Sequence, residues 1–185
     1  EAHGLVSRDG NGHFRLGLRL FTWGRRAVLA VGLVDVARPV LAALSESTGE
    51  SAQLYVRDGL RRVCVAAAER PSGLRDTVPV GASLPLDAGS GGRVLLAWAE
   101  EAPGHGRLLS VELARAREQG YAAMVAEREP GVASVSAPVL DASGVARAAI
   151  SVSGPVDRLG RSPGRRFGRA VVAAAREREE RAGLR

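Results

Sequence analysis

The chain has 185 residues, of which 45% are apolar, a composition that suits one good-sized folded domain with at most a small appendage and excludes a disordered chain. A net charge of +6 and a pI near 11 permit contact with nucleic acid without requiring it; all 26 basic residues are arginine, which reads as coding bias rather than function. The longest uncharged apolar run, residues 27–34, has eight residues against the ~18 that span a bilayer, and the lone Cys64 can close no internal disulfide. These readings point to a cytoplasmic protein with no membrane partner and with Cys64 as a buried small hydrophobe.

The chain opens at Glu1 without an initiator Met, which suggests a fragment of something longer. Leu5–Leu16 puts two short strand-like runs around Asp9-Gly10-Asn11-Gly12, residues that tolerate the positive φ angles of a tight hairpin. An isolated hairpin is marginal in water, so this one asks for a neighbour. Leu16 to about Val31 carries Leu20, Phe21, Trp23, Ala27 and Val28, the broad apolar stripe of a linker helix that wants a partner within the chain or across a dimer. A second helix over Leu33–Ser47 repeats Leu33, Val36, Ala37, Val40, Leu41 and Leu44 at helical spacing, with Pro39 kinking it or shifting its start and Thr48-Gly49 as its stop.

Ser51–Arg57 and Arg61–Glu69 form a hairpin about Asp58-Gly59, with Leu54 and Val56 against Val63 and Val65 as candidate core. A connection from Arg70 to Pro85 holds a short strand at Thr77–Val80, and the run Asp87–Gly92 reads as a glycine-rich loop leading into a helix at Arg93–Ala99. Such a loop is either a ligand collar or a plain flexible turn. It lacks the Gly-Lys-Ser/Thr of a phosphate loop and the glycine spacing of a dinucleotide site. A helix over Leu108–Gln119 and a strand over Tyr121–Val125 follow. Gly131–Pro155 then gives two alternating strands about Asp141-Ala-Ser-Gly144. Pairing Leu140 with Val145 sets Ser134 opposite Ser151, with Ser136 and Ser153 beside them, so several hydroxyls share one small-residue face. That face is either the floor of a small polar pocket or an ordinary solvated surface. Ser162-Pro163 opens a terminal helix with Phe167, Ala170, Val171 and Ala174 on one side, and Arg176–Arg185 is a solvated tail. The order predicts an α+β fold, one antiparallel sheet covered by helices.

Catalysis needs convergent groups, and none assemble. His3, His13 and His105 have no neighbouring Cys, Asp or Glu at metal-ligand spacing, so no metal or cofactor is expected. Ser134 and Ser151 lack a candidate base and a Gly-x-Ser-x-Gly elbow, so the chain does not read as an enzyme. Glu127 and Glu129 stand near the pocket strands as ligand hydrogen-bonders or as plain solvated charges.

The runs Phe14-Arg-Leu-Gly17, Thr48-Gly49-Glu50, Val80–Leu86, Gly120-Tyr121-Ala122, Ala137-Pro138-Val139 and Ile150-Ser-Val-Ser-Gly-Pro155, in that order, resemble the IclR family of bacterial transcriptional regulators. The resemblance runs from about Glu1 to Val172. It implies a winged helix-turn-helix truncated to its wing at residues 1–16, a linker helix at 17–31 and a GAF-like effector-binding domain at 32–185. It further implies operator DNA as a partner through the mostly missing N-terminal domain, with Arg8, His13 and Arg15 at the DNA, a small-molecule effector, and a homodimer or homotetramer. Carried over by motif, the effector contacts are Ser90, Gly91, Ser134, Ser151 and Ser153, with Leu74 and Leu84 as apolar walls, and the effector class is an organic or aromatic acid. Three departures stand out: Gly92-Arg93 replaces the usual Gly-Lys, the segment 99–108 is short, and Met124 stands where some relatives carry a pocket acid. A stand-alone small-molecule sensor or scaffold without DNA binding is the alternative.

Overall fold

A computed structural model describes residues 4–30, 33–100 and 107–181. The chain divides into two compact units, Glu1–Asp35 and Val36–Arg185. In the first, β1 (Val6–Arg8) and β2 (Phe14–Leu16) pair antiparallel. Asp9 builds their turn, its carboxylate accepting the backbone N–H groups of Asn11 and His13 at 3.0 Å and Arg15 Nε at 3.1 Å. These donors, the His13 N–H foremost, hold the Asp9 carboxyl below its ordinary value. Helix α1 (Leu18–Ala30) follows and leaves Leu18, Phe21 and Trp23 exposed.

The second unit carries most of α2 (Leu33–Thr48), which runs through Pro39 and buries Ala37, Val40, Leu41 and Leu44 as its spacing predicts. The further elements are β3 (Ser51–Asp58), β4 (Arg61–Ala68), β5 (Ser83–Pro85), α3 (Gly89–Ala97), α4 (Arg107–Gln119), β6 (Ala122–Val125), β7 (Val132–Leu140), β8 (Ala146–Pro155), α5 (Val156–Leu159) and α6 (Pro163–Arg181). Six strands form one antiparallel sheet in the order β5-β4-β3-β8-β7-β6. The α+β class holds.

Four local expectations are corrected. No strand forms at Thr77–Val80; Pro79 has no N–H to give a ladder, and its carbonyl accepts from Ala82 at 3.0 Å in a turn, so the short strand falls at Ser83–Pro85. Of the expected core residues of this hairpin Leu54 is fully buried, while Val56, Val63 and Val65 are half-buried; a bulge between Leu54 and Tyr55 pairs Leu54 with Ala66 and Tyr55 with Cys64, and these are the buried residues. The glycines at 89, 91 and 92 are the first turn of α3 rather than a loop before it. Their smallness serves packing: a Cβ on Gly92 would sit on the Leu86 carbonyl, and one on Gly91 would lie 3.2 Å from the Tyr55 ring.

The central register also differs. Asp141 spans the β7–β8 turn, its N–H donating to the Val145 carbonyl at 3.0 Å and its carboxylate accepting the N–H groups of Ser143 and Val145. A bulge between Val139 and Leu140 then sets Leu140 opposite Ala146, so Ser136 faces Ser151 and Ser134 faces Ser153. The slip is two residues along the ladder, an even number. Every side chain therefore keeps its face.

Candidate functional site

Period-two alternation and the observed register put Met124, Ser134 and Ser153 on one sheet face with Ala122, Ser136, Ser151 and Gln53, and extend that face through Tyr55 to Arg62 and Cys64. Helix α3 lies over it. The opposite face presents Leu54, Val135, Ala137, Ile150 and Val152, all fully buried, and α6 packs against β6, β7 and β8 with Phe167, Val171 and Ala174 buried and Ala170 half-buried. One sheet face is thus pure core and the other carries polar groups beneath a helix start.

Those polar groups form a connected row. Ser90 Oγ, in the first turn of α3, donates to Ser134 Oγ at 2.7 Å and lies 2.7 Å from Ser136 Oγ, while Ser136 Oγ donates to Ser151 Oγ at 2.8 Å. Ser153 Oγ donates to Gln53 Oε1 at 3.2 Å. Ser90, Ser136, Ser151, Ser153 and Gln53 are buried and Ser134 is half-buried. Each hydroxyl is a rotor with one hydrogen and two lone pairs. The row can therefore turn its hydrogens from one another toward an incoming oxygen without moving a backbone atom. The sequence places Ser136 on this face by its alternation with Ser134 but not among the expected effector contacts, and it does not mark Gln53, which the pairing with Ser151 brings in.

Charge gathers at the same helix start. Ala88, the N-cap, makes no side-chain cap, and the first α3 N–H groups, which have no acceptor within the helix, draw negative charge. Glu127 supplies some: its Oε2 accepts the Gly89 N–H at 2.6 Å and its Oε1 pairs with Arg93 Nη2. Arg93 also reaches Glu112 at 2.7 Å, and Arg128 Nη2 is bidentate on Asp76 at 2.9 and 2.8 Å. Arg62, 3% exposed, donates Nη1 to the Pro85 and Ala88 carbonyls and lies over the Tyr55 ring at 5.2 Å. Its Nε is buried without an acceptor. Burial lowers the Arg62 pKa and pushes the neighbouring Cys64 thiol up to about 11. Arg62 was missed from sequence, although its parity with Cys64 on β4 marks it as inward-facing.

A cleft of about 590 Å³ opens one strand away, at the free edge of β6 between α4 and the start of α6, lined by Arg93, Arg115, Tyr121, Ala122, Met124 and Arg165 among others. Its residues Ala122 and Met124 are the register partners of Ser136 and Ser134. Of the other expected contacts, Gly91 sits in α3 against Tyr55 and Arg62, and Leu84 is half-buried against the core. Leu74 is 75% exposed, with only its carbonyl engaged, by Arg158. In the hairpin, Arg15 pairs with Asp9 at 3.1 Å, His13 Nδ1 lies 3.7 Å from the same carboxylate, and Arg8 stacks on Phe14 at 4.5 Å. His3 and His105 lie outside the described residues. Among the described residues no group of three or more His, Cys, Asp or Glu is placed to hold a metal, and no helix is long and apolar enough to cross a membrane.

Comparison with known proteins gives a consistent picture. The profile described as bacterial transcriptional regulator IclR C-terminal matches residues 25–105 and 104–179. The HTH-type transcriptional regulator BhcR of Paracoccus denitrificans is 32% identical over 195 residues, covering 95% of this chain and 70% of that protein. The transcriptional repressor IclR of Escherichia coli is 27% identical over 198 residues, covering 96% and 72%. Among solved structures, that of an IclR transcriptional regulator from Alicyclobacillus acidocaldarius superposes with a TM-score of 0.79 at 25% identity over 99% of this chain and 81% of the other. The Thermotoga maritima IclR shares the fold, with a TM-score of 0.80 at 22% identity over 98% and 81%.

Proposed function

The chain belongs to the IclR family of bacterial transcriptional regulators, and from that premise we propose that residues 32–185 are the receptor through which a small organic or aromatic acid controls a DNA-binding protein in the cytoplasm. BhcR and the Escherichia coli IclR are transcriptional regulators. The observation that carries the reading is the buried row Ser90, Ser134, Ser136 and Ser151 under the start of α3, one strand from the 590 Å³ cleft. A carboxylate arriving there meets hydroxyls that can all donate and a helix end that favours negative charge.

In this reading Ser90, Gly91, Ser134, Ser151 and Ser153 contact the effector, and Leu84 and Leu74 border it. Residues 1–16, with Arg8, His13 and Arg15, serve as the wing at operator DNA, where arginines position the protein on the backbone rather than read bases. Residues 17–31 are the linker, and the exposed Leu18, Phe21 and Trp23 favour a homodimer or homotetramer. Effector binding shifts the balance between arrangements of the assembly by no more than its difference in affinity for them.

The test is a thermal-shift screen of small organic acids on this chain and on Ser151→Val. An acid that raises the melting temperature of the parent and loses most of that effect in the variant supports the reading. Acids that stabilise both proteins equally refute the site.

A further inference from the structure

We propose that Arg62 is the carboxylate receptor of the effector site, its unused Nε edge taking the paired oxygens of an incoming acid. The inference rests on the effector reading above and names the group that would confer preference for an acid over a neutral molecule of the same shape.

The first support is an imbalance. Arg62 is a charged side chain 3% exposed to solvent, and buried donors are nearly always matched by acceptors. Its Nη1 is saturated by the Pro85 and Ala88 carbonyls, but its Nε has no acceptor. A purely structural staple across the start of α3 needs only Nη1.

The second is a census of nearby carboxylates. Asp76 gives both oxygens to Arg128. Glu127 divides its oxygens between the Gly89 N–H and Arg93. Glu112 is engaged by Arg93. Asp76, Glu127 and Glu112 are thus each committed to another arginine, and the Arg62 guanidinium meets the Tyr55 ring and the backbone carbonyls of Pro85 and Ala88.

The third is shape. In a guanidinium, Nε–H and the nearer Nη2–H point the same way, at the spacing of the two oxygens of a carboxylate. The positions that Cβ atoms would occupy on Gly91 and Gly89 lie 3.4 Å from Arg62 Nε and 3.2 Å from Nη2. Glycine at both places keeps side-chain atoms off that edge on the helix side, and the α3 N–H groups add a field of the same sign.

The test follows the Arg62 Nε–H signal in the 15N NMR spectrum of the full chain, identified by its loss in Arg62→Lys. Sodium acetate and sodium benzoate are titrated, with acetamide and benzamide as neutral counterparts. The expected result is a saturable shift of the Arg62 signal with an acid and none with its amide, together with at least a tenfold weaker affinity for that acid in Arg62→Lys. A Nε–H signal unmoved by both acids overturns the proposal. Acid binding that is weakened by Ser151→Val but leaves the Arg62 signal in place also overturns it while sparing the effector reading. A shifted Arg62 signal with unchanged binding in Ser151→Val supports Arg62 and removes the serines from the site.

Discussion

Removing the Ser136 hydroxyl should break the row at its centre. Ser136 is fully buried and touches Ser90 at 2.7 Å and Ser151 at 2.8 Å. After Ser136→Ala, Ser90 keeps its bond to Ser134 at 2.7 Å, but Ser151 is left with only the Val135 carbonyl at 3.5 Å, the outer limit of a hydrogen bond. Stranding one buried hydroxyl costs about 1–3 kcal/mol. In a domain of this size that lowers the melting temperature by roughly 2–4 °C per kcal/mol. Ser151→Ala strands Ser136 less, because Ser90 remains beside it. The double variant removes the stranded group together with its partner and should be less destabilised than the sum of the singles, with a coupling of about 1 kcal/mol. Urea unfolding of the four proteins gives that coupling. Additivity to within about 0.3 kcal/mol would refute the connected row.

Three further outcomes follow. Arg158 holds the buried Glu50 with bonds of 2.6 and 2.8 Å; Arg158→Ala leaves that carboxylate only Arg70 Nη1 at 3.7 Å and should destabilise by about 1.5–3 kcal/mol in chemical denaturation, whereas Arg158→Lys should recover part of the loss. Because burial raises the Cys64 pKa to about 11 from an ordinary value near 9, the unfolded chain releases the thiol proton first. Stability should therefore fall as pH rises from about 9 to 11, and Cys64→Ala should flatten that alkaline decline in melting temperature. Leu18 and Trp23 lie exposed on α1, so Leu18→Asp with Trp23→Asp should shift light-scattering mass toward the monomer; an unchanged mass removes α1 from the interface.

Much of this organisation was legible because it rests on periodicity. The alternation of Ser134, Ser136, Ser151 and Ser153 fixes their common face, and an even slip in register cannot undo it. The slip itself depends on how Asp141 ties up the turn N–H groups and where the bulge falls, which the residue pattern does not specify. The glycines at 89, 91 and 92 read as a loop because glycine weakens an isolated helix; in the fold, contact with Leu86 and Tyr55 requires the smallness of Gly92 and Gly91. Arg62 follows Arg61 just after the Asp58-Gly59 turn, and an arginine pair there reads as surface. Only the carbonyls of Pro85 and Ala88, more than twenty residues away, explain how its charge is carried inside.

The most direct measurement is a backbone 1H–15N NMR titration of the chain with benzoate. The largest saturable shifts are expected at Gly89, Ser90 and Gly91 and at Ser134, Ser136 and Ser151. Shifts confined to Arg161, Gly164 and Arg165 at the far wall of the β6-edge cleft, with the α3 start unmoved, would contradict it.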